Sequence, residues 1–158
     1  MSYWTHVAGI VRIDTFGGMD DKKTDEEIFD EIFGKVLNWG DDETVWAESE
    51  EHPERFMPLG YEGSLKRSVW RCPDASCVPR YAISVFGDLR GYTDVDRIIE
   101  WFKGVCNKIA DSDYCAFVRN ACIVATCDLY RSASWYYDPS EDVTDTCGGE
   151  ETESDANV

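Results

Sequence analysis

Residues 80–129 hold two short apolar segments on either side of one amphipathic segment. The apolar segments, 81–86 and 121–127, are rich in β-branched residues, a composition typical of strands. Residues 94–109 lie between them and repeat apolar side chains at helical spacing, which predicts a helix that buries one face. A strand, a helix and a strand that share one core restrict the chain to a mixed fold, which we class as α+β.

The rest of the chain adds further elements to this unit. Residues 7–14 and 65–72 alternate between apolar and polar side chains and predict strands. The sequence Thr24-Asp-Glu-Glu27 has the form of a capping box and begins a predicted helix that Gly40 ends. The order β-α-β-β-α-β predicts a ferredoxin-like sandwich, with two helices on one face of an antiparallel sheet. Residues 130–137 extend the last strand or add another at the edge.

The segment 41–63 interrupts this pattern, because no helical or strand period is sustained within it. Prolines and glycines punctuate it, which predicts an acidic loop inserted in the domain, and a loop of this length is usually functional or mobile. From residue 138 onward acids, Ser, Thr, Gly and Pro dominate, a composition typical of disorder. We therefore predict one α+β domain over 1–137 and a disordered acidic tail over 138–158.

The formal net charge of −17 is concentrated in two blocks. Residues 20–54 hold 14 acids and 3 lysines, and residues 138–158 hold 8 acids and no base, which leaves the rest of the chain close to neutral. Two interpretations of the block 20–54 stay open. It is a solvated surface, or its ordered carboxylates imitate nucleic-acid phosphates and bind a basic groove on another protein. For the tail we favour the solvated surface, since disorder would blur any phosphate-like spacing.

The cysteines indicate thiols rather than disulfides or a metal site. Their number, seven, is odd, and Cys106, Cys122 and Cys127 fall inside predicted elements, so we expect buried reduced thiols. Cys72 and Cys77 are spaced too widely for a zinc knuckle, and no second pair follows. We therefore predict no metal and no cofactor. No segment has the apolar length of a membrane span, and the N-terminus lacks signal-peptide features, so we expect a cytoplasmic protein.

Catalytic chemistry finds no support in the sequence. No nucleotide-binding motif is present, and nothing in the sequence forces His6 or His52 to meet a cysteine. We predict a protein that is not an enzyme and has no catalytic residues.

The tryptophans divide into two groups by position. Trp39, Trp70 and Trp101 fall in predicted elements, which favours the core. Trp4, Trp46 and the cluster Trp135-Tyr-Tyr137 lie at chain ends or in loops, where exposed aromatic side chains are typical anchors for a partner.

The opening Met1-Ser-Tyr-Trp-Thr-His6, followed by an alternating strand, resembles the start of small acidic accessory proteins encoded by bacteriophages of Gram-positive and gut bacteria. This resemblance implies a viral protein that counters host defences in the host cytoplasm. In size and acidity the chain is similar in character to anti-CRISPR inhibitors that imitate DNA. The resemblance transfers no functional residue to this chain.

The leading hypothesis is a non-enzymatic inhibitor whose acidic helix and loop bind the basic nucleic-acid site of a host defence protein, without contacting nucleic acid or membrane directly. The partner-binding residues that it predicts are Asp20, Asp21, Asp25, Asp41, Asp42, Glu43, Trp46, Glu48, Glu50 and Glu51.

The alternative hypothesis is a small-ligand binding protein that sequesters a nucleotide immune signal. The ligand-binding residues that it predicts are Arg67, Arg71, Arg90 and Tyr92. Arg80, Tyr81 and Phe86 match only part of the aromatic motif of the RNA-recognition fold, whose glycines and central aromatic residue this strand lacks. The tail or a second copy of the chain could cover the open face of the sheet. The sequence does not decide between them, and a homodimer is one of the two possibilities.

Overall fold

A computed structural model of the chain describes residues 2–15, 23–72, 80–111 and 116–139. Within these residues five antiparallel strands form one sheet in the order β2-β3-β1-β4-β5. The strands are β1 (Trp4–Thr15), β2 (Lys66–Arg71), β3 (Arg80–Arg90), β4 (Ala116–Cys127) and β5 (Ser132–Tyr136), and the helices are α1 (Asp25–Phe33), α2 (Glu43–Glu51) and α3 (Val95–Ala110). The predicted α+β class is confirmed.

The core lies on one face of the sheet, under α1 and α3. Alternation along the central strand β1 turns Val7, Val11 and Ile13 to this face. The helix predicted over 94–109 is present as α3, and its apolar stripe is buried as its periodicity requires. The members of this stripe are Val95, Ile98, Ile99, Phe102, Val105, Cys106 and Ile109.

The opposite face of the sheet is left open by the helices that the structure describes. Phe86, Ala8 and Val124 lie side by side on three neighbouring strands, and all three are exposed. Tyr136 on the edge strand β5 is exposed as well. Of the two possibilities left open for residues 130–137, the structure shows the added edge strand, because β5 pairs with β4.

Helix α1 is shorter than predicted. Thr24 and Glu27 form the predicted capping box, but the helix ends at Phe33 rather than near Gly40. Gly34 has φ +92°, and a Cβ there would lie 2.6 Å from the carbonyl carbon of Phe56. The apolar pattern continues past the helix because the chain beyond it also packs inward, as the buried Leu37 shows.

The prediction of a loop over 41–63 is wrong, because α2 occupies its first half. Asp42 caps α2 by accepting from the backbone N–H groups of Thr44 at 2.9 Å and Val45 at 3.1 Å. Ser49 is the only residue of α2 that is buried. An acidic helix that packs so little against the core shows no apolar period, which explains why the sequence pattern did not reveal it.

Several side chains lie elsewhere than predicted. Trp39 is 71% exposed and Trp70 is 55% exposed, so neither fills the core, whereas Trp101 packs against it as expected. Trp135, predicted as an exposed anchor, packs edge-on against Phe102. Trp46 lies within α2.

Four of the seven cysteines lie in the described part of the chain, and all four are free thiols. Cys106 and Cys127 are buried as predicted, while Cys122 is only partly buried. Cys77 and the predicted tail from residue 140 onward lie outside the described residues. Among the helices of the described segments, none combines the length and the apolar character needed to cross a membrane.

Candidate functional site

Helix α2 is held at the side of the domain by polar contacts at its two ends. The backbone N–H of Lys35 donates to the carbonyl of Arg55 at 2.8 Å, and the N–H of Met57 donates back to the carbonyl of Lys35 at 3.0 Å. These two hydrogen bonds join the start and the end of the segment that carries α2. Glu48 accepts from Lys35 Nζ at 3.3 Å and from Arg55 at 3.4 Å, so α2 is also bound to the two residues that these backbone hydrogen bonds join.

The acids predicted to bind a partner divide into two sets by their contacts. Asp41 accepts the backbone N–H of Asn38 at 2.7 Å, Asp42 caps α2, and Glu48 is ion-paired, so these three hold the local structure. Hydrogen bonds from Thr44 lower the pKa of Asp42, and the hydrogen bond from Lys35 lowers that of Glu48. Both shifts fit carboxylates that are engaged within the fold.

The second set points to solvent from α2. Its members are Glu43, Glu50 and Glu51, all exposed. Glu51 lies 3.9 Å from His52, beyond hydrogen-bond distance. These three carboxylates are the ones that a partner can contact without unwinding the helix.

Aromatic side chains cluster around Trp46, which lies on the same helix as these carboxylates. Trp39 and Trp46 pack with their ring centroids 5.8 Å apart, and Tyr61, 87% exposed, lines the same shallow cleft. The cleft has a volume of about 10 Å³, too small for a small-molecule ligand. Exposed aromatic rings on a surface without a pocket are typical anchors of a protein interface. We call Trp39, Glu43, Trp46, Glu50, Glu51 and Tyr61 the α2 surface.

The other predicted partner-binding acids lie elsewhere. Asp25 is in the first turn of α1. The pKa of Tyr81 is raised mainly by burial of its phenol, and the charge of Asp25 raises it further. Asp20 and Asp21 lie outside the described residues. Of the predicted set, the structure therefore brings together the members on and just before α2.

The four residues of the alternative hypothesis do not converge on one ligand. Arg67, only 2% exposed, is bound by Glu26, by Asp30 at 2.6 Å and by the carbonyl of Gly34 at 2.9 Å. It therefore joins β2 to α1 and is not accessible.

The other three members have separate surroundings. Arg71 lies over the ring of Tyr81 at 5.9 Å, and Arg90 forms an ion pair with Glu62. Tyr92 lines a different cleft, beside Trp101.

A group that sequence analysis missed lies on the open face of the sheet. Arg80 and Arg119 lie near Asp14, and Arg12 and the exposed ring of Trp70 line the same cleft. Arg12 carried no signal beyond the polar side of an alternating strand, and Arg119 precedes the predicted start of β4. Only the strand register could have revealed the group.

His6 lies on the same face at the other end of the sheet. Its Nδ1 is 2.6 Å from Asp88 and its Nε2 is 3.1 Å from Asp128, so it links β3 to the end of β4 across β1. The hydrogen bond to Asp88 raises the pKa of His6 above its usual value. The described segments contain no group of three or more His, Cys, Asp or Glu side chains placed to hold a metal ion.

Comparisons with protein-family models, with curated proteins and with solved structures find no match to this chain. Its function is therefore inferred from the residues and their geometry.

Proposed function

We propose that the chain is a non-enzymatic inhibitor of the phage type, which binds the basic nucleic-acid site of a host defence protein through the α2 surface. The observation that carries this proposal is the exposure of α2. Most helices owe their stability to a buried apolar face, yet α2 buries only Ser49 and is held by its cap and by the contacts of Glu48. Its remaining acids and aromatic rings are thus left for a partner.

Two of the exposed acids present their charge from the same side of α2. Glu43 and Glu50 are seven residues apart, so they lie on one side of α2 with an axial separation of about 10.5 Å. A capped helix also fixes the backbone positions from which these side chains project, which a solvated loop would not do.

The aromatic rings supply the apolar part of the proposed interface. Arg and Lys side chains that line a nucleic-acid groove also bind to the faces of aromatic rings. Trp39 and Tyr61 present such faces in the cleft that they share with Trp46 of α2. A basic partner would therefore be recognised by charge and by stacking together, as nucleic acid is.

We further propose that the domain is ferredoxin-like and acts in the host cytoplasm. The spatial order β2-β3-β1-β4, with α1 following β1 and α3 following β3, supports the fold assignment. In this proposal β5 is an addition at the edge next to β4. The cytoplasmic assignment rests on the resemblance to phage proteins.

The test neutralises the exposed acids without disturbing the helix. The variant E43Q/E50Q/E51Q removes three charges from the α2 surface and keeps Asp42 and Glu48, which hold α2 in place. The matched control D96N/E100Q/D111N removes three exposed charges from α3 and its C-terminus. Circular dichroism should show that both variants keep their helical content.

Each protein is then used for affinity capture from a bacterial lysate that contains defence systems, with elution at increasing salt and mass spectrometry of the eluates. The wild type and the control should retain a nucleic-acid-binding protein that salt releases, and E43Q/E50Q/E51Q should not. If E43Q/E50Q/E51Q retains the same protein up to the same salt concentration, the proposal is wrong.

A further inference from the structure

A basic cleft lies on the open face of the sheet, at the end where β1 finishes and β3 and β4 begin. It has a volume of about 220 Å³. The side chains that define it are Arg12, Asp14, Trp70, Arg80 and Arg119. We call this group the open-face cleft. Three arginines beside one aspartate leave an excess of positive charge in a chain whose net charge is −17.

The strand register explains why these side chains meet. Trp70 on β2 and Arg12 on β1 both lie opposite Ala82 of β3, so the three occupy one row across the sheet. The short alanine side chain between them leaves room above the sheet. In the next row Asp14 lies directly opposite Arg80.

A β-bulge brings the third arginine into the group. Arg12 pairs with Asn120 and the following residue Ile13 pairs with Val118, so Arg119 is the extra residue on β4. Both Arg119 and Asn120 are exposed as a result. Bulges commonly redirect a side chain next to a functional site, and here the redirected side chain reaches Asp14.

Asp14 accepts a hydrogen bond from one guanidinium group and attracts a second by its charge. It is 15% exposed, and its carboxylate lies 2.8 Å from Nε of Arg119 and 3.8 Å from Nε of Arg80. Because Arg119 donates through Nε, its two terminal nitrogens have no acceptor among the described residues and can bind a second one. Paired terminal nitrogens match the oxygens of a phosphate.

We propose that the open-face cleft binds a nucleotide, with its phosphate on the arginines and its base against Trp70. An exposed tryptophan offers a flat surface on which any base stacks, and the guanidinium of arginine matches the geometry of phosphate oxygens. The nucleotide is free in solution or forms part of a single strand, since both present the same phosphate and base. This site is separate from the α2 surface and does not depend on the function proposed for it.

Isothermal titration calorimetry on the full chain tests the proposal with three probes: inorganic phosphate, AMP and a five-nucleotide single-stranded RNA. AMP or the RNA should bind the wild type, and R12Q/R119Q should weaken that binding by at least about tenfold. W70A should weaken AMP binding and leave the weaker binding of phosphate unchanged. R97Q, which removes one exposed charge from α3, should bind as the wild type does.

The two sources of the ligand are distinguished by comparing the probes. RNA that binds about tenfold more tightly than AMP at low salt assigns the cleft to a single strand, and equal affinities assign it to a free nucleotide. D14A should weaken binding as a positioning change, because Arg119 loses its hydrogen-bond acceptor and Arg80 loses the nearby charge. E43Q/E50Q/E51Q should bind both probes as the wild type does.

Three results would overturn the proposal. The first is an absence of AMP and RNA binding at millimolar concentration, and the second is unchanged affinity in R12Q/R119Q. The third is a wild-type dimer in sedimentation that dissociates in R12Q/R119Q, which would assign the cleft to a second copy of the chain. Circular dichroism of each variant separates loss of the site from loss of the fold.

Discussion

Replacing Arg67 with alanine should lower the free energy of unfolding by about 2–3 kcal/mol. Removing one member of a fully buried ion pair costs about 3–5 kcal/mol, because the remaining charge is stranded. Arg67 is buried and holds Glu26, Asp30 and the carbonyl of Gly34. Of its two carboxylate partners, Glu26 is 71% exposed and Asp30 is 36% exposed, so water can solvate both once the arginine is gone. The expected cost therefore lies below the range for a fully buried pair.

Urea unfolding followed by circular dichroism measures this cost, and in a thermal scan it corresponds to about 5–10 °C for a domain of this size. R71A is the matched control on the same strand: Arg71 is exposed and contacts only the ring of Tyr81 among the interactions described, so its loss should cost less than about 1 kcal/mol. R67K keeps the positive charge but loses the planar guanidinium that binds several acceptors at once. Its loss of unfolding free energy should lie between those of R71A and R67A. An R67A variant within about 0.5 kcal/mol of the wild type would refute a structural role for Arg67.

Three further predictions concern single positions. Because Asp88 raises the pKa of His6 above 6.5, the imidazolium stabilises the fold fully below pH 6.5, and that stability is lost as pH rises through the raised pKa. His6→Asn should abolish this pH-dependent part, seen by comparing urea unfolding at about pH 5.5 and about pH 8.5. Asp42→Ala removes the cap of α2 and should speed amide hydrogen exchange within α2 several-fold while leaving the global unfolding midpoint unchanged. Gly63 has φ +78° and its Cβ would meet the carbonyl of Asp88, so Gly63→Ala should lower the unfolding free energy by at least about 2 kcal/mol in urea titrations.

Sequence patterns located the elements that bury an apolar face and missed the one that does not. The stripe on α3 repeats at helical spacing because seven of its side chains are buried. Helix α2 has a single buried residue, Ser49, so its cap at Asp42 was the only local signal. Where a helix is stabilised by polar contacts at its ends, hydrophobic periodicity carries no information about it.

Element ends were predicted less well than element types. The pattern that starts α1 continues to Leu37, which is buried although the helix has already ended. What stops the helix is the close approach of Phe56 to Gly34, a contact between residues far apart in the sequence. Such a contact is set by tertiary packing, and local propensity does not encode it.

In the candidate sites, too, the sequence showed the residue types but not the contacts that they make. The acidity of residues 41–51 was plain in the sequence, but which carboxylates are engaged within the fold depends on Lys35 and Arg55. Arg67 and Arg119 are both arginines in or next to predicted strands. One is buried under α1, and the other is turned outward by a bulge. Only the face and register of each strand separate a structural arginine from an accessible one.

The most direct test of the central claim is competition between this protein and nucleic acid for the captured partner. Labelled DNA or RNA is bound to the partner, and the fraction displaced is measured by fluorescence anisotropy as the wild type, D96N/E100Q/D111N or E43Q/E50Q/E51Q is added. If the α2 surface imitates nucleic acid, the wild type and the α3 control displace the label at similar concentrations. E43Q/E50Q/E51Q should then require at least about tenfold more protein, with the difference shrinking at high salt. Equal displacement by all three proteins, or binding of the wild type without displacement, would contradict the claim.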